Sequence, residues 1–313
     1  MANQANNPND PTLALAGMSD KTKAEASPKA VTPKVRVTVA VPVMKDPDLH
    51  FVNSLFRTIT TSQKCMAMMS WNQGDSLISR SRNLLFSDWL LRSDTPYFMF
   101  WDSDLEHVPT PHCENLLDTM LDDLQKPGID FVGGLYSVKG NPPRSSSVSA
   151  DFGPTPAYNT GLHRMLWLST GCWMMSRRVG EQMLKAYPEL VYNGDGGSAG
   201  KIILGAFVPY IARIEPGELP GVKTRVSKYL SEDWAFAGRW SAIGGTIWND
   251  SRIILKHWGS YPYCLYTPGK DEPKAEPTVT PHDPAVKPLN EEPAKVNAMS
   301  FEPKIEPNVE PKI

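Results

Sequence analysis

Two aspartates separated by one residue are the most chemically suggestive feature of this sequence. Asp102 and Asp104 stand on either side of Ser103, directly after the apolar run Phe-Met-Phe-Trp at residues 98–101. Two carboxylates spaced in this way on a turn can converge on one hard cation, and that cation can hold a diphosphate. The pair also fits a structural role, in which the acids only cap the turn or solvate a loop end. The preceding apolar run favours the cation site, because ligands of parallel α/β sheets collect beyond the carboxyl ends of the strands.

A second pair of acids, Glu232 and Asp233, stands at the start of a predicted helix over residues 232–243. Neighbouring residues of a helix point about 100° apart, so only one of the two easily faces a site. The other is then available to cap the helix or to pair with a cation. The helix dipole alone also favours acids in a first turn, which is the structural alternative.

Two other side chains suit the same chemistry. His257 follows the apolar run at residues 253–255. A lone histidine is usually structural, but one placed after a predicted strand, in a chain that carries the aspartate pair, is also a candidate metal ligand. Arg82 stands on a predicted helix, where a solvated helix face is the plainer interpretation. Its planar guanidinium can instead contact a diphosphate or orient Asp102, since its fork matches paired oxygens.

Aromatic residues and one glycine-rich segment allow two interpretations each. Trp173 and Trp234 can stack on a sugar or a base, or they can simply fill the core. Residues 194–197 (Gly-Asp-Gly-Gly) predict a flexible turn-rich segment, which serves either as a lid over a ligand or as a plain surface loop.

The elements that must position these residues alternate between strands and helices. A β-branched run at residues 35–43 predicts a strand buried on both faces. The alternation predicts an α/β fold with a mostly parallel central sheet flanked by helices. The other predicted elements are strands at residues 65–70, 97–101 and 129–133, and helices at residues 49–63, 111–124 and from a cap at Asp75 or Ser76 to residue 92.

Composition divides the chain into three parts. Residues 1–33 lack apolar periodicity, and residues 267–313 repeat Pro with Glu and Lys, so neither segment can bury enough apolar surface to offset its ordering entropy. We therefore expect disordered segments on both sides of one α/β domain at residues 34–266. The net charge of −2 and the pI near 6.3 give no long-range attraction for nucleic acid or anionic membranes.

The four cysteines, Cys65, Cys113, Cys172 and Cys264, are widely spaced and form no CxxC pair. This spacing is typical neither of zinc sites nor of small secreted scaffolds, so we expect reduced and mostly buried thiols in a cytoplasmic protein. The polar N-terminus shows no signal peptide, and no run of about 18 apolar residues predicts a transmembrane helix.

Taken in order, these motifs resemble those of glycosyltransferases with the GT-A fold, over about residues 35–260. In that family an Asp-x-Asp motif holds Mn²⁺ or Mg²⁺ against the diphosphate of a nucleotide sugar. The resemblance therefore implies Asp102, Asp104 and the late His257 as metal ligands, with Ser103 in the same donor site. It also implies Asp104 as the more direct ligand and Asp102 as a bridge between metal, ribose and Arg82.

Five further segments resemble parts of the same family in the same order. Residues 39–42, which end at Pro42, resemble the strand and loop that receive the nucleotide base, and residues 79–83, which contain Arg82, resemble the Arg-Asn helix before the acidic motif. Residues 133–139, which end at Lys139, resemble the strand and loop near the donor. Residues 169–175 resemble the acceptor-side strand, and residues 231–236 resemble the acidic catalytic motif.

The resemblance implies metal-dependent transfer of a hexose-type unit from a nucleoside-diphosphate sugar to an acceptor hydroxyl. In inverting relatives the second acid of the catalytic motif deprotonates the acceptor, which implies Asp233 as the general base with Glu232 beside it. Retention stays open. Compact size, the lack of a transmembrane segment and the predicted tail resemble phage-encoded glycosyltransferases, whose acceptors are glycans or modified DNA bases. The sequence leaves the oligomeric state open.

Two other functions remain as alternatives. Haloacid-dehalogenase phosphatases also place two aspartates after an apolar strand, and the first aspartate is their nucleophile. Their motif lies near the start of the domain, whereas two strand–helix units precede Asp102 here. The other alternative is a non-catalytic protein that binds nucleotide sugars or glycans on the same scaffold. The presence of Asp102, Asp104 and Asp233 together argues against it.

Overall fold

Strands and helices alternate along residues 33–219 and 221–266, the part of the chain that the computed structural model describes. The predictions for the first 32 residues and for the Pro/Glu/Lys-rich tail lie outside the described residues. The helices are α1 (Leu49–Thr61), α2 (Ile78–Arg92), α3 (Leu116–Leu124), α4 (Arg177–Ala186) and α5 (Glu232–Ala242), with short 3-10 helices at Pro188–Leu190 and Gly196–Ser198.

Most of the strands belong to one large central sheet, and the others form three small sheets. The strands are β1 (Val35–Val43), β2 (Cys65–Gln73), β3 (Tyr97–Trp101), β4 (Leu105–Val108), β5 (Phe131–Gly133), β6 (Val148–Ser149), β7 (Leu162–Trp167), β8 (Cys172–Ser176), β9 (Val191–Asn193), β10 (Ile202–Leu204), β11 (Tyr210–Ile214), β12 (Val226–Leu230), β13 (Ile247–Asp250), β14 (Ile254–Trp258) and β15 (Pro262–Cys264).

The central sheet has eight strands in the order β2-β1-β3-β8-β5-β13-β7-β6. Strands β1, β2, β3, β5, β6 and β13 run in one direction, and β7 and β8 run in the other. The α/β class is confirmed, and most strands do point the same way. The sheet is nevertheless mixed, because the predicted acceptor-side strand β8 is inserted antiparallel between β3 and β5.

Two apolar layers cover the two faces of this sheet. On one face Val37, Val39 and Val41 of β1 pack with residues of α1 and α3. On the other face Phe98 and Phe100 of β3 pack with residues of α2, α4 and α5. Strand β1 is therefore buried on both faces, as its run of β-branched residues predicts.

Several element boundaries differ from the predicted ones, and local hydrogen bonds explain where they fall. Helix α3 begins at Leu116 rather than at residue 111, because the Asn115 side chain accepts the Asp118 N–H and caps the helix there. Helix α2 begins at Ile78, since the Asp75 carboxylate accepts from the Leu77 N–H and forms a turn before the helix.

The other boundaries shift by a few residues. Helix α1 ends at Thr61, α5 ends at Ala242, and β2 continues to Gln73 because all nine of its residues pair with β1. Strand β5 begins at Phe131 rather than at residue 129.

Two further findings concern the cysteines and the helices, and a third concerns the surroundings of the aspartate pair. Cys65, Cys113 and Cys172 are buried thiols, in agreement with the expected reduced state. Within residues 33–219 and 221–266, no helix has the length and apolar character that a bilayer crossing demands. The small sheet β15-β14-β4 follows the aspartate pair directly, since β4 begins one residue after Asp104.

Candidate active site

The aspartate turn is held in place by the backbone of the neighbouring strand. The Asp102 N–H donates to the Gly171 carbonyl (2.8 Å), and the Gly171 N–H donates to the Tyr136 hydroxyl (3.1 Å). A Cβ at Gly171 would lie 2.7 Å from the Tyr136 oxygen and 2.5 Å from Leu105, so this close approach requires glycine. The ends of β3 and β5 and the start of β8 therefore meet at one edge of the sheet.

Arg82 joins the two acidic pairs. Its two terminal nitrogens donate to the two carboxylate oxygens of Asp102 at 3.0 Å each. Its Nε lies 3.7 Å from Glu232 Oε1, and the guanidinium also stacks over the Phe100 ring at 5.1 Å. The Arg82 side chain is only 4% exposed, so the two carboxylates compensate the cost of burying its charge.

Asp104 faces a different set of partners. Lys139 Nζ lies 2.7 Å from its Oδ2, and His257 Nε2 lies 3.2 Å from the same oxygen. Strand β14 brings His257 there, because it pairs antiparallel with β4 and the Trp258 N–H donates to the Asp104 carbonyl. Burial opposes ionisation of Asp104, but the contacts with His257 and Lys139 outweigh it and lower the pKa of this carboxyl.

The His257 ring has a defined orientation. Its Nδ1 lies 2.9 Å from the Ser137 carbonyl oxygen, which can only accept, so Nδ1 carries the donated proton. In the neutral imidazole, Nε2 then turns its lone pair toward Asp104. A lone pair that faces a carboxylate is repulsive unless a proton or a metal cation occupies Nε2.

The predicted trio of metal ligands does not form one cluster. The Asp102 carboxylate is turned toward Arg82, whereas Asp104 and His257 face each other. Accordingly, no group of three or more acidic, histidine or cysteine side chains in the described part of the chain is arranged to hold a metal. The physical reason is that Arg82, buried beneath the turn, pairs with Asp102.

The second acidic pair lies at the start of α5, as predicted. Asp233 Oδ1 accepts hydrogen bonds from the Ser231 hydroxyl and from the Trp234 N–H (2.8 Å). Burial raises the pKa of Glu232, Arg82 opposes this shift, and the negative charge of Asp233 adds to it. Burial likewise raises the pKa of Tyr136, and the charges of Asp102 and Asp233 raise it further. Tyr136 therefore lies near enough to both acidic segments for their charges to act on its hydroxyl.

The remaining predicted residues have more indirect places. Ser103 contributes its carbonyl, which accepts the Asp48 N–H at 2.8 Å and joins the aspartate turn to the start of α1. Pro42 is buried in β1, and the residues exposed at that end of the strand are 44–46. Trp173 is fully buried in the core, and residues 194–197 lie in a surface segment that includes one of the 3-10 helices.

Sequence reasoning missed Tyr136 and a pocket that adjoins the start of α5. The pocket has a volume of about 400 Å³, and its lining includes Leu135, Ser147, Trp167 and Lys228. Trp234, the residue after Asp233, stacks on Trp167 with ring centroids 4.4 Å apart. An aromatic residue just beyond a strand end was a signal for Tyr136, but nothing in the sequence alone places Lys228 beside Trp167.

Comparison with known proteins gives no family for this chain. No family model matches the sequence, and no curated protein matches it significantly. Solved structures do show a likeness. The chain is similar to A197 from STIV, with 12% identity and a TM-score of 0.42 over 72% of this chain and 86% of that one.

Two other solved structures are similar at low identity. One is a glycosyltransferase involved in the glycosylation of the major capsid of PBCV-1, with 14% identity and a TM-score of 0.27 over 50% of this chain and 68% of that chain. The other is GalNAc-T7 with UDP, GalNAc and Mn²⁺, with 10% identity and a TM-score of 0.36 over 72% of this chain and 43% of that one. Likenesses this distant do not identify the reaction.

Proposed function

We propose that this chain is a metal-dependent glycosyltransferase, which moves a sugar from a nucleoside diphosphate to an acceptor hydroxyl. The observation that carries the proposal is the contact of one buried arginine, Arg82, with both Asp102 and Glu232. It brings an acidic turn after a strand and an acidic pair at the start of a helix into a single site. Transfer of a sugar between two substrates needs two neighbouring sets of residues, one that binds the donor and one that binds the acceptor.

The donor side fits a divalent cation beside Asp104 and His257. His257 Nε2 lies 3.2 Å from Asp104 Oδ2 while Nδ1 faces the Ser137 carbonyl, so in the neutral ring Nε2 and Oδ2 could both bind one cation. Mg²⁺ commonly takes only one or two protein carboxylates and completes its shell with water and substrate phosphates. Two protein ligands are therefore enough, and Asp102 need not be a third. A cation bound here would neutralise the charge of the departing diphosphate.

Positive side chains supply the rest of the donor site. Lys139 pairs with Asp104, and its side chain is 39% exposed, so it can exchange this carboxylate for a phosphate oxygen. Arg82 keeps Asp102 in a fixed orientation, with the Asp102 side chain still 22% exposed toward a ligand. We assign Asp102 to hydrogen bonding with the donor, for example with ribose hydroxyls.

The acceptor side is assigned to Asp233. Both hydrogen bonds that Asp233 accepts from described residues are made at Oδ1. Oδ2 is then the oxygen that takes the proton of an acceptor hydroxyl, as a general base. A base on α5, opposite a diphosphate held at the aspartate turn, corresponds to an inverting transfer.

One contact argues against the phosphatase alternative. A nucleophilic aspartate needs an oxygen that can attack phosphorus, yet both oxygens of Asp102 are held by Arg82. A bidentate arginine pair lowers the nucleophilicity of the carboxylate and fixes its direction. Asp102 is better suited to orientation than to covalent catalysis.

The experiment that tests the proposal is a thermal-shift panel of nucleoside diphosphates with and without Mn²⁺. A diphosphate at about 100 times its Kd should raise the melting temperature of a domain this size by about 5–10 °C. The shift should require Mn²⁺ and should be lost in Asp104→Ala, and the responding nucleotide identifies the donor base.

Asp94→Ala is the matched control, because Asp94 pairs with Arg36 at the opposite edge of the sheet and is 79% exposed. It should keep the full metal-dependent shift. Absence of a shift with every nucleotide, or a shift that Asp104→Ala retains, would contradict the donor site. A shift without transfer to any acceptor pool would instead favour a non-catalytic binding protein.

A further inference from the structure

The pocket beside α5 contains one charged side chain among its lining residues. That side chain is Lys228 of β12, and the remaining lining is apolar or hydroxyl-bearing, as with Leu135, Met165, Ser147 and Thr155. Strand β12 leads directly into α5, so Lys228 and Asp233 lie on consecutive elements. The pocket therefore places a single positive charge on the strand before the proposed general base, and Lys228 also contacts Trp234, the residue that follows Asp233.

Two indole rings hold the Lys228 ammonium at the pocket. Its Nζ lies 5.0 Å from the Trp167 ring centroid and 4.9 Å from that of Trp234, and the two rings stack on each other. Cation–π contacts of this kind orient an ammonium without neutralising its charge. No carboxylate among residues 33–219 and 221–266 forms an ion pair with Lys228, so its charge is available to a ligand.

The position of Lys228 follows from the pairing of its strand. Lys228 is opposite Ala212 in the β11–β12 hairpin and therefore shares the face that carries the buried Leu230. Neighbouring Ser227 and Tyr229 point to the other face, where both are exposed. A lysine directed to the inner face, beneath two tryptophans, is unusual for a solubilising surface residue.

We propose that this pocket binds the acceptor, and that the acceptor is a glycan unit bearing a carboxylate that pairs with Lys228. The assignment of the pocket to the acceptor rests on the proposed function, whereas the prediction of an acidic glycan ligand does not. Hydroxyl groups of Ser147 and Thr155 suit sugar hydroxyls, and the exposed ring of Phe152 suits the apolar face of a sugar.

A single carboxylate matches the single ammonium better than other anions do. A phosphate is commonly held by arginine or by more than one cation, whereas the lining residues include one lysine and no arginine. A nucleic-acid strand needs a basic groove that follows several phosphates, whereas this pocket has one cation in a chain of net charge −2. Asp151, the residue before Phe152, accepts hydrogen bonds from the Ser149 hydroxyl and the Gly153 N–H and forms no ion pair with Lys228.

Equilibrium binding without nucleotide or metal tests the proposal separately from donor chemistry. The probes are glucuronic acid and galacturonic acid oligosaccharides, each paired with its carboxyl-reduced neutral counterpart. An acidic oligosaccharide should bind about tenfold more tightly than its neutral partner, the effect of one charge-assisted hydrogen bond. The preference should decrease as salt is raised, because screening weakens an accessible ion pair.

The variants separate charge from fold. Lys228→Met should remove the acidic preference, Lys228→Arg should keep it, and Lys185→Met, which changes an exposed lysine at the end of α4, should have no effect. All three should retain the Mn²⁺-dependent nucleotide shift, which shows that the donor half is intact. If the unchanged protein showed no Mn²⁺-dependent nucleotide shift, the proposed function would be contradicted, but the glycan pocket would not.

Three results would overturn the inference. They are no binding of either acidic oligosaccharide, equal binding of the acidic and neutral partners, and an acidic preference that survives Lys228→Met. Binding of single-stranded oligonucleotides that depends on Lys228, with none of the glycans, would assign the pocket to nucleic acid instead.

Discussion

In the described residues, 33–219 and 221–266, two clusters each have two carboxylates that share one arginine, and the clusters are built in opposite ways. Asp123 and Asp250 share Arg252, and here both acids are 0% exposed while the arginine is 30% exposed. Asp102 and Glu232 share Arg82, and here the arginine is 4% exposed while the acids are 22% and 20% exposed. In the first, the covered cluster, a partly exposed arginine lies over two buried acids. In the second, the outward-facing site, a buried arginine lies beneath two partly exposed acids.

This difference separates a structural ion cluster from a candidate active site. Carboxylates covered by an arginine balance its positive charge, but they cannot reach a ligand. Carboxylates that project outward from a buried guanidinium are held in fixed directions and still face solvent, which suits substrate binding. Perturbed pKa values alone do not make this distinction, because burial raises the pKa of Asp123 as well as that of Glu232.

The largest expected effect is on catalysis at the outward-facing site. Asp233→Asn should lower kcat for sugar transfer by about 10²–10⁴-fold, because the amide cannot take the acceptor proton. Nucleotide binding with Mn²⁺ should persist, since Asp233 is assigned to the acceptor side. Steady-state kinetics with the responding donor measure the effect.

The matched change in the covered cluster is Asp123→Asn. Its kcat per folded molecule should equal that of the unchanged protein, because Asp123 is fully buried and pairs with Lys126 and Arg252. A comparable loss of kcat in both variants would show that exposure of the acids does not separate the two clusters.

The second effect is on stability and should come mainly from the covered cluster. Arg252→Met leaves Asp123 and Asp250 buried without their shared cation, which should lower the free energy of unfolding by roughly 3–5 kcal/mol. Urea denaturation measures this loss. Arg36→Met is the control, because the Arg36–Asp94 pair is exposed and should contribute no more than about 1 kcal/mol.

The central elements were predictable because their signals are local. Strands β1 and β3 have the predicted bounds, since β1 is a run rich in β-branched residues and β3 is a run of large apolar residues that ends before Asp102. Helix α3 was predicted too long because apolar periodicity cannot show that Asn115 caps the helix. Helix α5 was predicted, but most strands of the second half were not, because strands such as β13 and β14 are short and pair with partners distant in sequence.

The candidate site was predictable only in its motifs. The sequence places Asp102, Glu232 and His257 at the ends of predicted elements, but it does not show that Arg82 turns Asp102 away from His257. The contacts of Tyr136 depend on the antiparallel insertion of β8, which brings Gly171 under its hydroxyl.

The smallest expected effect is a pH dependence that arises from Glu232. Burial, with Asp233 adding to it and Arg82 opposing it, raises the pKa of this carboxyl above its ordinary 4.5 in the folded chain. The folded state therefore binds the proton more tightly than the unfolded state, so this group's contribution to stability is lost as pH rises from 4.5 through the raised pKa. Glu232→Gln removes the titration and should become more stable, relative to the unchanged protein, as pH increases across that window.

Urea denaturation at a series of pH values measures the Glu232 effect, with Glu181→Gln on the exposed face of α4 as the control. The stability difference for Glu232→Gln should be near zero below pH 4.5 and should grow toward neutral pH. A difference that shrinks with rising pH would mean that Arg82 stabilises charged Glu232 more than burial destabilises it. In that case Glu232 would serve mainly as an ion-pair partner of Arg82, and Asp102 would remain as the acid assigned to ligand binding.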